Sequence, residues 1–141
     1  MKVLFICLAN IFRSQIAEAY FNRFTKKNKA ESAALRQKRN TMHALVIRAM
    51  KEEEISIENN SSDQVTQGLV QNADVIILMS QDLKEIFNNM NFQIKPATKI
   101  QVWNIKDVHA KDTDEHFYPN IIKARNQIKQ RVINLIKQLG Q

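Results

Sequence analysis

The polar and apolar positions of this chain alternate in blocks that predict strands separated by helices. An uninterrupted apolar run, Val3–Ile6, predicts a buried first strand, and from Gln15 onward apolar residues recur at the spacing of one helix face. Later blocks predict strands at Ala30–Ala34, Asp74–Met79 and Lys99–Trp103. Strands separated by helices indicate an α/β fold, which we expect to be a three-layer, four-stranded parallel sheet with helices on both faces.

Four more segments carry apolar residues at helix spacing. Ser61, Ser62 or Asp63 is predicted to cap the third helix of the chain. Pro119 is predicted to lie in the first turns of the last helix, which reaches Leu139. No repeat or low-complexity stretch interrupts the pattern, so we expect residues 1–141 to form a single domain.

Composition narrows the function classes. The chain has 21 basic and 14 acidic residues and a net charge of +7, which favours anionic partners and keeps nucleic-acid binding as an alternative. No long apolar span or signal-peptide pattern is present, so we expect a soluble, cytoplasmic protein without a membrane partner. A single cysteine rules out an internal disulfide, and no histidine pairs with a second ligand at metal spacing, so we expect no metal and no cofactor.

The candidate chemistry lies in the loop after the first strand. Cys7 opens this loop, Arg13 and Ser14 close it, and a helix follows directly. A strand–loop–helix junction directs backbone N–H groups and the positive end of a helix dipole at one point, which suits an anion. A helix N-terminus and a nearby cation also favour the thiolate, the nucleophilic form of cysteine. The arginine fork can bind two oxygens of a tetrahedral oxyanion at once.

A structural role is the alternative for these residues, because a single cysteine is usually a small buried hydrophobe. In that case Arg13 would be an unrelated surface residue. The strand before the loop, the spacing of Cys7 and Arg13, and the helix after them all favour the functional interpretation.

The segment Lys2–Phe21, KVLFICLANIFRSQIAEAYF, resembles the opening of the low-molecular-weight protein tyrosine phosphatases and of the related thioredoxin-coupled arsenate reductases. The resemblance implies their fold, with an N-terminal phosphate-binding loop. It implies that Cys7 attacks the oxyanion, Arg13 binds it and Asn10 shapes the loop. The substrate-binding residues it implies are Leu8, Ala9, Asn10, Ile11, Phe12, Arg13 and Ser14.

The resemblance also supplies a second catalytic group. The stretch Val102–Val108 is similar to the general-acid loop of the family, with Asp107 in the place of the acid. Asp112 and Asp114 are rivals on the same loop, and we interpret both as helix-capping carboxylates. Ser32 matches a serine of the family that braces Asn10, and is therefore expected to support the loop.

Several positions depart from the family pattern. Ala9 stands where glycine is common, Phe12 where a second cysteine is common, and Gln15 where proline is usual. Val108 replaces the proline after the acid. The bracing histidine of many relatives is replaced here by Asn59 or Asn60.

The loop from Cys7 to Ser14, together with Asp107, predicts a cysteine-dependent phosphatase that hydrolyses phosphomonoesters through a cysteinyl-phosphate intermediate. A phosphorylated protein, with phosphotyrosine as the expected group, or a small phosphomonoester is the predicted substrate. The alternatives are an arsenate reductase that uses an external thiol and a phosphate-binding module without turnover. Arsenate reductases of this fold pass oxidation on to two further cysteines, which this chain lacks. Nucleic acid is the least expected partner.

Overall fold

A parallel sheet of four strands forms the centre of the protein. The computed structural model describes residues 1–140. The strands are Lys2–Cys7 (β1), Lys29–Ala34 (β2), Val75–Leu78 (β3) and Lys99–Val102 (β4). They are arranged in the order β2-β1-β3-β4, and every neighbouring pair is parallel. The predicted α/β class with a four-stranded parallel sheet is confirmed.

Within the described residues 1–140, five α-helices connect or follow the strands. They are Arg13–Phe24 (α1), Ala44–Lys51 (α2), Gln67–Asn72 (α3), Leu83–Asn89 (α4) and Tyr118–Gln138 (α5). A short 3₁₀ turn precedes α5, and proline occupies the first turn of α5, as predicted. Within residues 1–140, no helix combines the length and the apolarity that crossing a membrane requires.

The central strands are covered on both faces. All four residues of β3 are buried, and so are the five residues Val3–Cys7 of β1. Because successive strand residues point to opposite faces, this burial requires packing on both sides of the sheet. The Phe5 ring lies 6.0 Å from that of Phe21 in α1 and 5.6 Å from that of Trp103. Trp103 is therefore a core residue.

The predicted caps of α3 are wrong. Thr66 caps this helix, because its hydroxyl accepts a hydrogen bond from the N–H of Leu69. The earlier residues bond elsewhere: the Ser62 hydroxyl donates to the carbonyl of Ala9 at 2.9 Å, and the Asp63 N–H donates to the Asn10 side chain at 3.0 Å. The segment before α3 therefore supports the loop after β1.

The parallel arrangement brings three segments to one edge of the sheet. The loop 7–14 follows β1, Ser80 lies just after β3, and the segment 103–114 follows β4. Binding sites in open parallel sheets form outside the carboxyl ends of the strands. The fold therefore places the predicted nucleophile and the predicted acid at the same edge.

Candidate active site

The loop 7–14 uses its carbonyl groups within the protein and leaves most of its N–H groups unpaired. Carbonyl oxygens accept hydrogen bonds at Cys7, Leu8, Ala9, Ile11 and Phe12. Among residues 1–140, no acceptor is bonded to the N–H groups of Leu8, Ala9, Ile11, Phe12, Arg13 and Ser14. The N-cap residue of α1, Phe12, makes no side-chain capping bond within residues 1–140, so the first N–H groups of the helix are also available. Unpaired N–H groups around one loop at a helix N-terminus form a nest for an oxyanion.

The Cys7 sulfur lies within this loop and receives two polar contacts. The Ser14 hydroxyl is 2.9 Å from it, and the N–H of Asn10 donates to it at 3.3 Å. Ser14 Oγ also accepts a hydrogen bond from the Asn10 side-chain amide at 2.6 Å. The hydroxyl hydrogen of Ser14 is then free to point at the sulfur. Hydrogen bonds donated to sulfur favour the thiolate, which is the form that attacks an electrophile.

Asn10 is the residue that fixes the shape of the loop. Its φ angle of 58° lies in the left-handed region, which asparagine tolerates better than most residues do. Its side-chain oxygen accepts bonds from Gln15 Nε2 at 3.1 Å and from the Asp63 N–H at 3.0 Å. Asn60 Nδ2 in turn donates to Gln15 Oε1 at 3.3 Å. Positive φ falls on Asn10 and not on Ala9, so the alanine is not strained.

The expected support of Asn10 by Ser32 is wrong. The Ser32 hydroxyl donates instead to Glu18 Oε1 at 2.9 Å, because both side chains meet between β2 and α1. Burial raises the pKa of Glu18 by disfavouring its charged form, and the bond from Ser32 partly offsets this effect. Gln15 and Asp63 provide the support that was assigned to Ser32.

Arg13 is buried and held at two points. Its Nη1 donates to Ser80 Oγ and to the Ile105 carbonyl, both at 2.9 Å. Both Nη1 hydrogens are therefore used, which leaves Nε and Nη2 as the pair that can bind two oxygens of an oxyanion. Nη2 lies 3.6 Å from the carboxylate oxygen Oδ2 of Asp107. The predicted anion-binding arginine and the predicted acid are thus neighbours.

A cleft of about 160 Å³ lies over the loop. Cys7 to Arg13 line it together with Asp107, so the structure brings these predicted site residues together. The two rival carboxylates have other partners: Asp112 accepts from Arg39 at 2.9 Å, and Asp114 accepts from the Lys111 N–H at 2.8 Å. Neither is among the residues that line the cleft.

The walls of the cleft come from segments that are far apart in the sequence and hydrogen-bond to one another. His43 caps α2 through Nδ1, which accepts from the Leu45 N–H, and its Nε2 lies 2.7 Å from the Ala110 carbonyl. The basic loop 36–39 contributes Lys38 to the cleft wall, whereas Arg39 is bonded to Asp112. Phe12 is 6% exposed and belongs to the hydrophobic core. Phe12 therefore packs in the core and still contributes to the lining of the cleft.

Some supporting residues could not be found from the sequence pattern. Ser80 and Ile105 are 67 and 92 residues from Arg13 along the chain. No local motif marks such contacts. Gln15 was visible as a departure from the family's proline, which was its only signal. No group of three His, Cys, Asp or Glu side chains gathers as a metal site within residues 1–140.

Comparison with known families places these features in context. The model of the family described as low molecular weight phosphotyrosine protein phosphatase matches residues 2–141. An arsenate reductase of Bacillus subtilis is 26% identical over 132 residues, which cover 92% of this chain and 91% of that protein.

Solved structures give the same architecture. A low molecular weight protein tyrosine phosphatase from T. tengcongensis superposes with a TM-score of 0.84 at 21% identity, covering 98% of this chain and 99% of that one. Wzb of Vibrio vulnificus, solved in complex with benzylphosphonate, superposes with a TM-score of 0.83 at 20% identity, covering 97% of each chain. At these identities the likeness shows the fold.

Proposed function

This chain belongs to the low molecular weight phosphotyrosine protein phosphatase family, and we propose that it hydrolyses phosphomonoesters through a phosphorylated Cys7. The observation that carries the proposal is the loop around Cys7, whose unpaired N–H groups and Arg13 can hold three phosphoryl oxygens around the sulfur. A phosphorylated protein, with phosphotyrosine as its phosphorylated residue, is the substrate that we propose.

In the first step the Cys7 thiolate attacks phosphorus. The S–P bond forms while the bond between phosphorus and the leaving oxygen breaks, and Asp107 gives its proton to that oxygen. The substrate dianion competes with Asp107 for Nη2 of Arg13, which lies 3.6 Å from the carboxylate. The bound dianion therefore takes over the contact that Arg13 otherwise makes with Asp107.

In the second step water attacks the cysteinyl phosphate. Asp107, now ionised, accepts a proton from the water, the P–S bond breaks, and Cys7 leaves as a thiolate. Ser14 lies 2.9 Å from the sulfur and stabilises the charge that develops there. Inorganic phosphate is released.

Arsenate reduction with an external thiol is the second candidate, because the relative from Bacillus subtilis carries that name. Arsenate resembles phosphate and fits the same nest. Its reduction to arsenite needs two electrons, which Cys7 and one external thiol would supply together by forming a mixed disulfide. Turnover of arsenate with glutathione, and a glutathione adduct on Cys7, would identify this activity.

The proposed function is tested by hydrolysis of two aryl phosphates that differ in leaving group. Cys7→Ser and Arg13→Ala should each lower kcat for p-nitrophenyl phosphate by roughly 10³-fold or more. Asp107→Asn should slow phenyl phosphate by roughly 10²- to 10⁴-fold and p-nitrophenyl phosphate much less, because the better leaving group needs no proton.

Asp114→Asn is the matched control, since it removes a carboxylate of the same segment that is bonded to the Lys111 N–H. It should leave both rates within about twofold. If Asp114→Asn slows phenyl phosphate and Asp107→Asn does not, the acid is assigned to the wrong residue. Negligible hydrolysis of both esters by the wild-type protein would refute the phosphatase.

A further inference from the structure

A second groove adjoins the cleft and shares one wall with it. Asp107, Val108 and His109 line both spaces. The groove measures about 450 Å³, against about 160 Å³ for the cleft. The far side of the groove is formed by α5. When a phosphorylated side chain of a protein substrate occupies the cleft, the substrate backbone on either side of it would therefore lie at the mouth of this groove.

The groove is lined by basic and amide side chains without partners. Lys106 and Lys123 have no ion-pair partner among residues 1–140, and the amides of Asn104, Asn120 and Gln127 have no hydrogen-bond partner there. Apart from the shared Asp107, no acidic residue lines the groove. Two cations and three amides around one space are complementary to carboxylate groups.

Three cations elsewhere on the surface are paired with carboxylates of the protein itself. Arg48, Lys95 and Lys129 each lie within 3.1 Å of a carboxylate oxygen. The two lysines of the groove differ from these three in having no carboxylate partner among residues 1–140. The half-buried Phe117 adds an apolar surface in the same groove, against which the carbon chain of a side chain can pack.

We propose that this groove binds acidic residues next to the phosphorylated residue of a protein substrate, so that the protein prefers phosphopeptides flanked by glutamate or aspartate. The proposal rests on the proposed function in one respect: it places the phosphorylated side chain in the cleft over Cys7. The groove is assigned to the substrate and not to a separate ligand because Asp107, Val108 and His109 line both the groove and the cleft.

The test uses binding, so that it does not depend on turnover. Two peptides carry a phosphonate analogue of phosphotyrosine that cannot be hydrolysed, and are flanked on both sides either by glutamates or by the isosteric glutamines. Fluorescence anisotropy at low salt should give a Kd roughly 5- to 20-fold lower for the glutamate peptide, because two cations line the groove.

Lys123→Gln should reduce this preference and Lys123→Glu should abolish it, without affecting hydrolysis of p-nitrophenyl phosphate by more than about twofold. Lys123 is exposed, so both variants should fold. Lys137→Glu is the matched control, because it makes the same charge change on the same helix about 21 Å further along its axis. It should keep the preference.

Equal Kd values for the two peptides in the wild-type protein, or a preference that survives Lys123→Glu, would overturn the groove assignment. Tight binding of a single-stranded oligonucleotide, lost in Lys123→Glu and accompanied by equal peptide affinities, would assign the groove to nucleic acid instead. The outcomes for the two proposals are separable. A peptide preference without any aryl-phosphate hydrolysis would retain the groove and reject the phosphatase.

Discussion

At the scale of single residues, the direction of each hydrogen bond around Cys7 can be worked out from its neighbours. The Asn10 oxygen accepts two bonds, so its amide nitrogen must face Ser14. Ser14 Oγ accepts from that nitrogen and keeps its own hydrogen for the sulfur, 2.9 Å away. Gln15 thus acts on the nucleophile through a chain of three hydrogen bonds, as a positioning residue.

We expect Gln15→Leu to slow alkylation of Cys7 by iodoacetate at pH 6 by roughly 3- to 10-fold and to lower kcat more than it raises KM. The reason is that Asn10 loses one of the bonds that orient it. The measurement is the pH profile of alkylation alongside steady-state kinetics. Asn60→Ala removes only the outer bond to Gln15 and should have a smaller effect. A folded Gln15→Leu protein with an unchanged alkylation profile would contradict this role.

Peroxide should inactivate the protein irreversibly on prolonged exposure. Cys7 is the only cysteine of the chain, so its sulfenic acid has no neighbouring thiol to form a disulfide with and proceeds to sulfinic and sulfonic acid. The measurement is activity after timed peroxide exposure and dithiothreitol treatment, with the mass of the Cys7 peptide. Phosphate should slow the loss. Full recovery after long exposure, with no sulfinic or sulfonic mass, would indicate a sulfenamide or a disulfide between two chains.

Contacts within the loop could be predicted from the sequence, whereas contacts between distant segments could not. The spacing of Cys7 and Arg13 could be recognised because all the groups that it brings together lie within one loop. The contact of Arg13 with Ser80 could not, since it depends on which strands become neighbours in the sheet. Ser32 was assigned by resemblance, and the position of Glu18 on α1 offered its hydroxyl a different acceptor.

At the scale of elements, a three-membered polar cluster joins α1, α2 and α5. Glu53, just after α2, accepts hydrogen bonds from Tyr20 of α1 at 2.8 Å and from Lys129 of α5 at 2.9 Å. The bond from Lys129, followed by that from Tyr20, lowers the pKa of Glu53. Burial, together with the bond to Glu53, raises the pKa of Tyr20.

Glu53→Gln should therefore lower the free energy of unfolding at pH 7 by about 1 kcal/mol. Because the pKa of Glu53 is lower in the folded protein, its contribution is complete above the ordinary value of 4.5 and is lost as pH falls through the folded value. The difference in free energy of unfolding between Glu53→Gln and the wild type should therefore shrink as the pH is lowered. Urea unfolding at pH 7 and near pH 3 measures it. Glu58→Gln, at an exposed glutamate, should change neither value; an equal loss at both pH values would exclude an ionic contribution.

Elements with strong local patterns were predictable, and the start of α3 was not. β3 is apolar throughout, and α2 buries Leu45, Val46, Ala49 and Met50, which recur at helix spacing, so local sequence decides both. Ser62 and Asp63 are good caps in isolation. Their hydrogen-bonding groups are instead required by the loop after β1, and a distant contact of this kind overrides a local preference.

At the scale of the whole molecule, the net charge of +7 should attract dianionic substrates over a distance. We expect kcat/KM for an aryl phosphate to fall several-fold between about 0.02 and 0.5 M ionic strength, with little change in kcat, because screening acts on encounter and not on chemistry. The comparison of iodoacetate with uncharged iodoacetamide as alkylating agents for Cys7 is the control. Equal salt dependence of the two reagents would argue against long-range attraction.

The hydrogen bonds that hold the carbonyls of the loop have one more consequence. Because they come from the protein itself, an oxyanion can bind without ordering the loop, and little conformational entropy is lost on binding. Inorganic phosphate, which is the product of the proposed reaction, would bind with the same small loss of conformational entropy. A phosphatase built on this loop should therefore be inhibited by its own product. In a cell its rate would fall as free phosphate rises, and would rise with the amount of phosphorylated substrate.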